Sequence, residues 1–332
     1  MSADEQQGGE STATVLVAGA ANLLVAVLKL VAGVLTGSAA MLAEAVHSLA
    51  DTITEGLLLA ALRRSAQPAD RAHPLGYGKE RFFWALIAAV SIFVSGAVFA
   101  LFEGVRTVLS GGEEQTVVWV AYAVLVVSFA LEGMSWLKAM RQVRSEAAAE
   151  HRGMVAYLRR SDDPTVKTVF FEDSAALIGL LFALAGVGLH QLTGSGVWDG
   201  IASLLIGALL AGVAYLLGRT NKSLLVGRQA DPNLVHRVHR LLADAPEVEA
   251  VVDLITQVMG TDRVLVCARI DVVDALTAGE LERACVRLST ELRAELSDVY
   301  EVFLEPVPRT DPQIRARVLA RYGEQRGEHR LG

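Results

Sequence analysis

The chain has 332 residues, 52% of them hydrophobic but only 6% aromatic, and a formal net charge of −7. Ala, Leu, Val and Gly are its commonest apolar residues, the mix of helices packed closely in lipid, where small side chains let backbones approach. A mildly acidic chain lacks the basic footprint of a nucleic-acid binder, and Cys267 and Cys285 are too few and too far apart for a disulfide framework or a CxxC zinc site.

Residues 1–12 form a polar, acidic tail without the basic n-region and cleavage site of a signal peptide, so the first apolar run is expected to stay as a membrane anchor. Six runs of spanning length follow: roughly Ala13 to Thr36, Ala39 to Leu62, Phe82 to Val108, Val117 to Met140, Val166 to Leu192 and Val197 to Leu217. Asp163-Pro164 supplies an N-cap and a first-turn proline for the fifth, and Gly218-Arg219 is expected to close the sixth. Arg63, Arg64, Arg71, Lys79 and Arg81 lie between the second and third runs. Lys138, Arg141, Arg144, Arg152, Arg159, Arg160 and Lys167 lie around the join of the fourth and fifth. GVLTGS, SGGEEQ and LTGSGVWDG, on the other side, contain no Lys or Arg. Basic loops stay inside, so both termini are expected in the cytoplasm. The expectation is a multi-pass integral membrane protein, surrounded by lipid, of a bacterial-type plasma membrane.

Past residue 218 the pattern changes from spanning runs to amphipathic segments. Asp231 to Ala245 reads as a helix with Leu234, Val238, Leu241 and Leu242 on one side. Val248 to Val258 and Arg263 to Val272 read as strands about a turn at Gly260-Thr261-Asp262. Leu276 to Leu296 reads as a helix with Thr277 as N-cap and Glu280 three residues on, and Val299 to Leu304 as a third strand ended by Pro306 and Pro308. The fold class is therefore a polytopic α-helical membrane protein, with a six-helix transmembrane domain over residues 13–218 and a C-terminal α+β sandwich over 219–308. Residues 309–332 are a charged tail expected to be frayed helix or disorder.

The second run carries the chemistry. At about 100° per residue, His47, Asp51 and Glu55 fall at about −60°, −20° and +20° from Glu44, so four ionisable groups share one stripe. His47 and Asp51, at i and i+4, are neighbours on it, and an imidazole beside a carboxylate suits zinc and similar divalent ions. Asp51 lies roughly 18–20 Å from either end of the run. The fifth run brings Glu172 and Asp173, the latter roughly 14 Å past Pro164, so the two acidic spots sit at similar depth. An ionisable residue inside a membrane span is a functional candidate by default. Of the others, Asn22 reads as a hydrogen-bonding link across helices, and Lys29 as a side chain snorkelling to the outer interface. Glu132, with Lys138 near by, reads as a vestibule residue or an ion-pair member. Glu44 and Glu55 flank the central pair as access-path residues would. His73 reads as structural, and His236 and His239 as part of a solvated helix face.

The runs SAAMLAEAVHSLADTITEGLL, HPLGYGKERFFWALIAA, FFEDSAALIGLLFALAGVGL and DGIASLLIGALL, in that order, resemble the cation diffusion facilitator family, and within it the zinc transporter 9-like branch. The resemblance covers the six spans and the sandwich. It implies a homodimeric exporter of divalent metal coupled to protons, working by alternating access, with a ferredoxin-like cytoplasmic domain. It also implies metal ligands at His47 and Asp51, where the family has His/Asp-x-x-x-Asp in the second span, and at Asp173 in the fifth. The position four before Asp173 is Val169, which cannot bind metal, and Glu172 is the candidate substitute. The expected cargo is Zn(2+) or another divalent cation, with no prosthetic group. No GxxxxGK[ST] nucleotide cradle and no HExxH is present, so neither a primary pump nor an enzyme is expected. The alternatives are an exporter of manganese, iron or cobalt, and a membrane scaffold that kept the fold without transport. The soluble domain is expected to dimerise without bound metal.

Overall fold

The computed structural model describes residues 22–112, 117–149, 152–160 and 163–322. Among these, five helices are long and apolar enough to cross a membrane: α2 Ala39–Ser65, α3 Glu80–Ser110, α4 Val118–Ala149, α6 Pro164–Thr193 and α7 Val197–Val226. A shorter apolar helix, α1 Asn22–Thr36, precedes them. Residues 13–21 of the first expected span lie outside the described residues. A short helix, α5 Met154–Arg160, follows α4.

Local chemistry sets the boundaries. Asp163 caps α6, accepting from the Thr165 amide at 2.8 Å, with Pro164 in the first turn, as the sequence suggested. Arg81 at the start of α3 clasps the same carboxylate with one guanidinium nitrogen, at 2.9 and 3.0 Å. α6 ends at Gly194 in the left-handed region, with φ 71°. α7, expected to stop at Gly218, continues to Val226. A single interior glycine costs a helix only about 1 kcal/mol and does not end it. Within α3 the turn Ile92–Ala97 is π-helical, and Ser95 Oγ donates back to the Ser91 carbonyl at 2.5 Å.

The membrane helices pack through small residues. Ala40, Ala43, Ala89, Ala97, Ala100, Ala183 and Ala202 are buried in one core with Met41, Ile92, Leu180, Ile206 and Leu210. α3 and α7 cross where a Cβ on Gly104 would stand 2.8 Å from the Leu204 backbone nitrogen and 2.9 Å from the Gly200 carbonyl. Ser203 Oγ donates to the Ala100 carbonyl at 2.8 Å beside that crossing.

The described residues divide into two compact units: those within 22–66 and 80–222, and those within 67–79 and 223–322. The second holds α8 Pro232–Ala243, β1 Val248–Gly260, β2 Arg263–Val272, α9 Ala278–Glu295, β3 Val299–Pro306 and α10 Pro312–Tyr322. The sheet order is β1-β2-β3, β1 antiparallel and β3 parallel to β2. One core joins Val238 and Leu242 of α8, Leu288 and Leu292 of α9, and Leu254, Val266, Ile270 and Val302 of the strands. Thr277 and Glu280 complete a reciprocal capping box on α9. The tail is more ordered than its composition suggests: α10 buries Val318 and ties Arg321 to Asp253 at 2.7 Å. Residues 323–332 of the expected tail lie outside the described residues.

Candidate metal-transport site

α2 is fixed at its start by a residue from another helix. Ser38 Oγ accepts from the Met41 amide at 3.2 Å and donates to Asp199 Oδ1 of α7 at 2.7 Å. Asp199 Oδ2 accepts from the amides of Ala39 and Ala40, the latter at 3.3 Å. First-turn amides have no partner within their own helix, and a negative charge there is favoured by the helix dipole. The buried Asp199 answers both demands.

Further along α2, a cavity of about 80 Å³ opens among α1, α2, α4 and α6, lined by Asn22, Asp51, Glu55, Glu132, Glu172 and Asp173, with Ser48, Ser135 and Val169 among the rest. Six of the eight residues singled out from the sequence meet there. Asn22 Nδ2 donates to Glu55 Oε1 at 2.6 Å, linking α1 to α2 as expected. Ser135 Oγ donates to Asp173 Oδ2 at 2.9 Å, and Trp136 Nε1 to Ser174 Oγ at 3.0 Å, which fastens α4 to α6. Glu172 and Asp173 both face the cavity despite the divergence expected of adjacent helical residues. Val169, four residues before Asp173 on α6, lies on the same wall.

Four buried carboxylate oxygens on this wall have no hydrogen-bond partner: Asp51 Oδ1, Glu55 Oε2, Glu132 Oε2 and Glu172 Oε1. Such atoms are costly in a water-poor interior unless hydration, a proton or a cation meets them. The acidic groups line the chamber without converging. Among the described residues, no three His, Cys, Asp or Glu side chains stand close enough to hold one metal ion.

The other two predicted residues lie off this wall. His47 is fully buried, its Nδ1 3.3 Å from Asp51 Oδ1. Neither ring nitrogen makes a hydrogen bond. Glu44 is also fully buried and is paired with Lys29, whose ammonium donates to Glu132 Oε1 at 2.6 Å, Ser48 Oγ at 2.9 Å and Glu44 Oε2 at 3.1 Å. Lys29 therefore does not snorkel; its side chain has no exposure at all. Three inward acceptors from two neighbouring helices compensate the ammonium where it is. Glu132 both pairs with Lys29 of α1 and lines the cavity. A Cβ on Gly179 of α6 would collide with Glu44 Oε1, so that glycine makes the room in which Glu44 sits.

Sequence reasoning missed Asp199 as a cap and Lys29 as an interior charge. Asp199 had a signal, since it is acidic at the start of an apolar run. Lys29 had one too, being mid-run and about seven residues from the polar turn, roughly 10 Å along the helix.

Residues 15–226 match the family model described as the cation efflux transmembrane domain. The chain is 37% identical over 243 residues, 73% of its length and 43% of the relative's, to the proton-coupled zinc antiporter SLC30A9, mitochondrial, of Xenopus laevis. It is 32% identical over 304 residues, 92% of its length and 64% of the relative's, to metal tolerance protein C4 of Arabidopsis thaliana. Over 310 residues, 88% of its length and 94% of the relative's, it is 25% identical to the manganese efflux system protein MneP of Bacillus subtilis (strain 168). The chain spans less than half the length of the animal antiporters it matches.

Proposed function

This chain belongs to the cation efflux family, and on that footing we propose that it exchanges a divalent metal ion, zinc foremost, for protons across a membrane. The observation that carries this reading is the cavity among α1, α2, α4 and α6, walled by five carboxylates and one asparagine. The animal relatives are named as proton-coupled zinc antiporters.

Asp51, Asp173 and Glu172, with His47 adjoining Asp51 as the nitrogen ligand, are the groups that take the ion; they line the cavity without converging, so α2 and α6 draw them together around it. Metal ligands bind only when deprotonated, so arrival of metal and departure of protons are one event at these carboxylates. Protons taken from the far side then displace the metal there as the helices open alternately. The basic loops support a cytoplasmic position for both termini, in a bacterial-type plasma membrane. The chain acts as a homodimer joined through its C-terminal unit, where Val286 of α9 and Phe303 of β3 are exposed apolar residues. A carboxylate-rich donor set also suits manganese, and one relative is named for manganese efflux, so a manganese exporter is the second reading.

The test is metal flux into proteoliposomes holding the full chain, with a pH-sensitive dye inside, run with zinc, manganese, iron, cobalt and cadmium. Wild-type protein is expected to move zinc with opposite proton movement. Asp51→Ala and Asp173→Asn are expected to lose at least about tenfold in rate, a barrier change of about 1.4 kcal/mol or more. Both variants transporting at the wild-type rate with unchanged proton movement overturn the site. No flux of any of the five metals by wild type overturns the function in favour of a non-transporting scaffold.

A further inference from the structure

Glu132 is shared between two neighbourhoods. Its Oε1 is held by Lys29 at 2.6 Å. Its Oε2 is buried without a partner, and the residue lines the cavity with Asp51, Glu172 and Asp173. The same ammonium also holds Glu44 and Ser48. Glu44 Oε1 is unpartnered too, and is fully buried. One buried positive charge thus stands behind the wall of an acidic chamber and withholds one carboxylate oxygen from it.

We propose that Lys29 is a tethered cation that competes with the transported metal ion for Glu132, and so keeps the metal bound weakly enough to be released. This rests on the cavity being the metal path. Conduction requires a site favourable enough to enter and weak enough to leave, and a chamber lined by five carboxylates favours entry of a divalent ion heavily. A unit charge in a water-poor wall repels a divalent ion twice as strongly as a monovalent one. The lysine head is a compact point charge on a flexible four-carbon stem. It can therefore yield Glu132 to an incoming ion and keep Glu44 and Ser48, then reclaim Glu132 as the ion departs. Lys29 acts through Glu132 and is a positioning residue; it is not itself a ligand.

A purely structural ion pair makes a different prediction. Breaking it from either side leaves an uncompensated buried charge, so both single variants would damage transport in the same direction. Competition for charge makes the two single variants differ in sign. The experiment measures initial zinc flux against zinc concentration in proteoliposomes of the full chain, with zinc binding to the detergent-solubilised protein measured by calorimetry. Lys29→Gln is expected to lower both KM and Kd for zinc about tenfold and to lower the maximal rate about tenfold, because release slows. Glu132→Gln is expected to raise KM about tenfold, because a carboxylate is lost while the cation stays. In the double variant, net charge is restored, and KM is expected back within about threefold of wild type.

Single variants that shift KM in the same direction, or a double variant no nearer to wild type than either single, overturn the proposal. Should Lys29→Gln not fold, the comparison of Glu132→Gln with the double variant measures the same lysine. The absence of a fall in KM there is equally fatal. Wild-type protein that neither binds nor moves zinc defeats the transport reading and this inference with it. Wild-type flux with an unchanged Lys29→Gln defeats the inference alone.

Discussion

Replacing Asp199 by alanine should weaken the membrane unit at the start of α2. The carboxylate holds three donors, the Ser38 hydroxyl and the amides of Ala39 and Ala40, and both alanines are buried. A hydrogen bond to a charged group is worth about 1.5–3 kcal/mol. The two amides, with no other partner in the first turn, then represent about 4 kcal/mol together. A lower bound comes from side-chain hydrogen bonds between membrane helices, which average about 0.6 kcal/mol because the unfolded chain in lipid finds other partners; three such bonds give about 2 kcal/mol. The expected loss for Asp199→Ala is therefore about 2–4 kcal/mol. Asp199→Asn, which keeps one acceptor oxygen but turns an NH₂ toward donors, should lose about half of that. Unfolding of the solubilised full chain by SDS gives the magnitude, and hydrogen exchange at the Ala39–Met41 amides gives the place. Stability within about 0.5 kcal/mol of wild type, the range of ordinary surface changes, together with unchanged exchange at those amides, would refute the reasoning.

Three further outcomes are expected. Gly104→Ala forces a Cβ against the backbone of Leu204 and Gly200, an overpacking worth about 1–3 kcal/mol; a thermal midpoint equal to wild type would show that α3 and α7 do not meet so closely. In α9, Thr277's hydroxyl and then its backbone hold the Glu280 carboxyl below its ordinary value of 4.5. A lowered folded value means that the contribution is present above pH 4.5 and is lost as pH falls through the lowered value. The difference in heat-unfolding midpoint between wild type and Thr277→Ala should thus shrink in acid, and a difference that grows below pH 4.5 would contradict the sign. A cysteine at Ser110 should react with an impermeant thiol reagent from outside cells and one at Ala72 should not; the reverse pattern would invert the orientation.

Much of this was legible because spanning runs and the helical period are coarse signals. The i, i+4 spacing of His47 and Asp51 was enough to make them neighbours, and depth counting brought Asp173 to the level of Asp51. The helix–strand–strand–helix–strand order followed from turn residues and alternation, with Thr277 and Glu280 marking α9 correctly. What failed depended on partners distant in sequence. Lys29 has no partner within its own helix; its acceptors are 15, 19 and 103 residues away. Asp199 caps a helix about 160 residues earlier, a pairing no local pattern records. Helix ends beyond the apolar runs also escaped, since hydropathy marks only where the apolar run stops. α4 runs to Ala149 and α7 to Val226 on backbone hydrogen bonds that need no lipid.

Residues 67–79, just after α2, belong to the same compact unit as residues 223–322, and within it a Cβ on Gly78 would collide with the Met259 carbonyl and stand 3.1 Å from Gly260 Cα. No single cut of the polypeptide therefore separates the two units. During synthesis this segment leaves the ribosome about 180 residues before the hairpin that receives it, about ten seconds or more at ordinary elongation rates. It waits unpaired through the insertion of four more helices, so the second unit cannot close before translation is nearly complete. A chain truncated just after Val226 would keep every membrane helix and leave that segment without the surface it was built to meet.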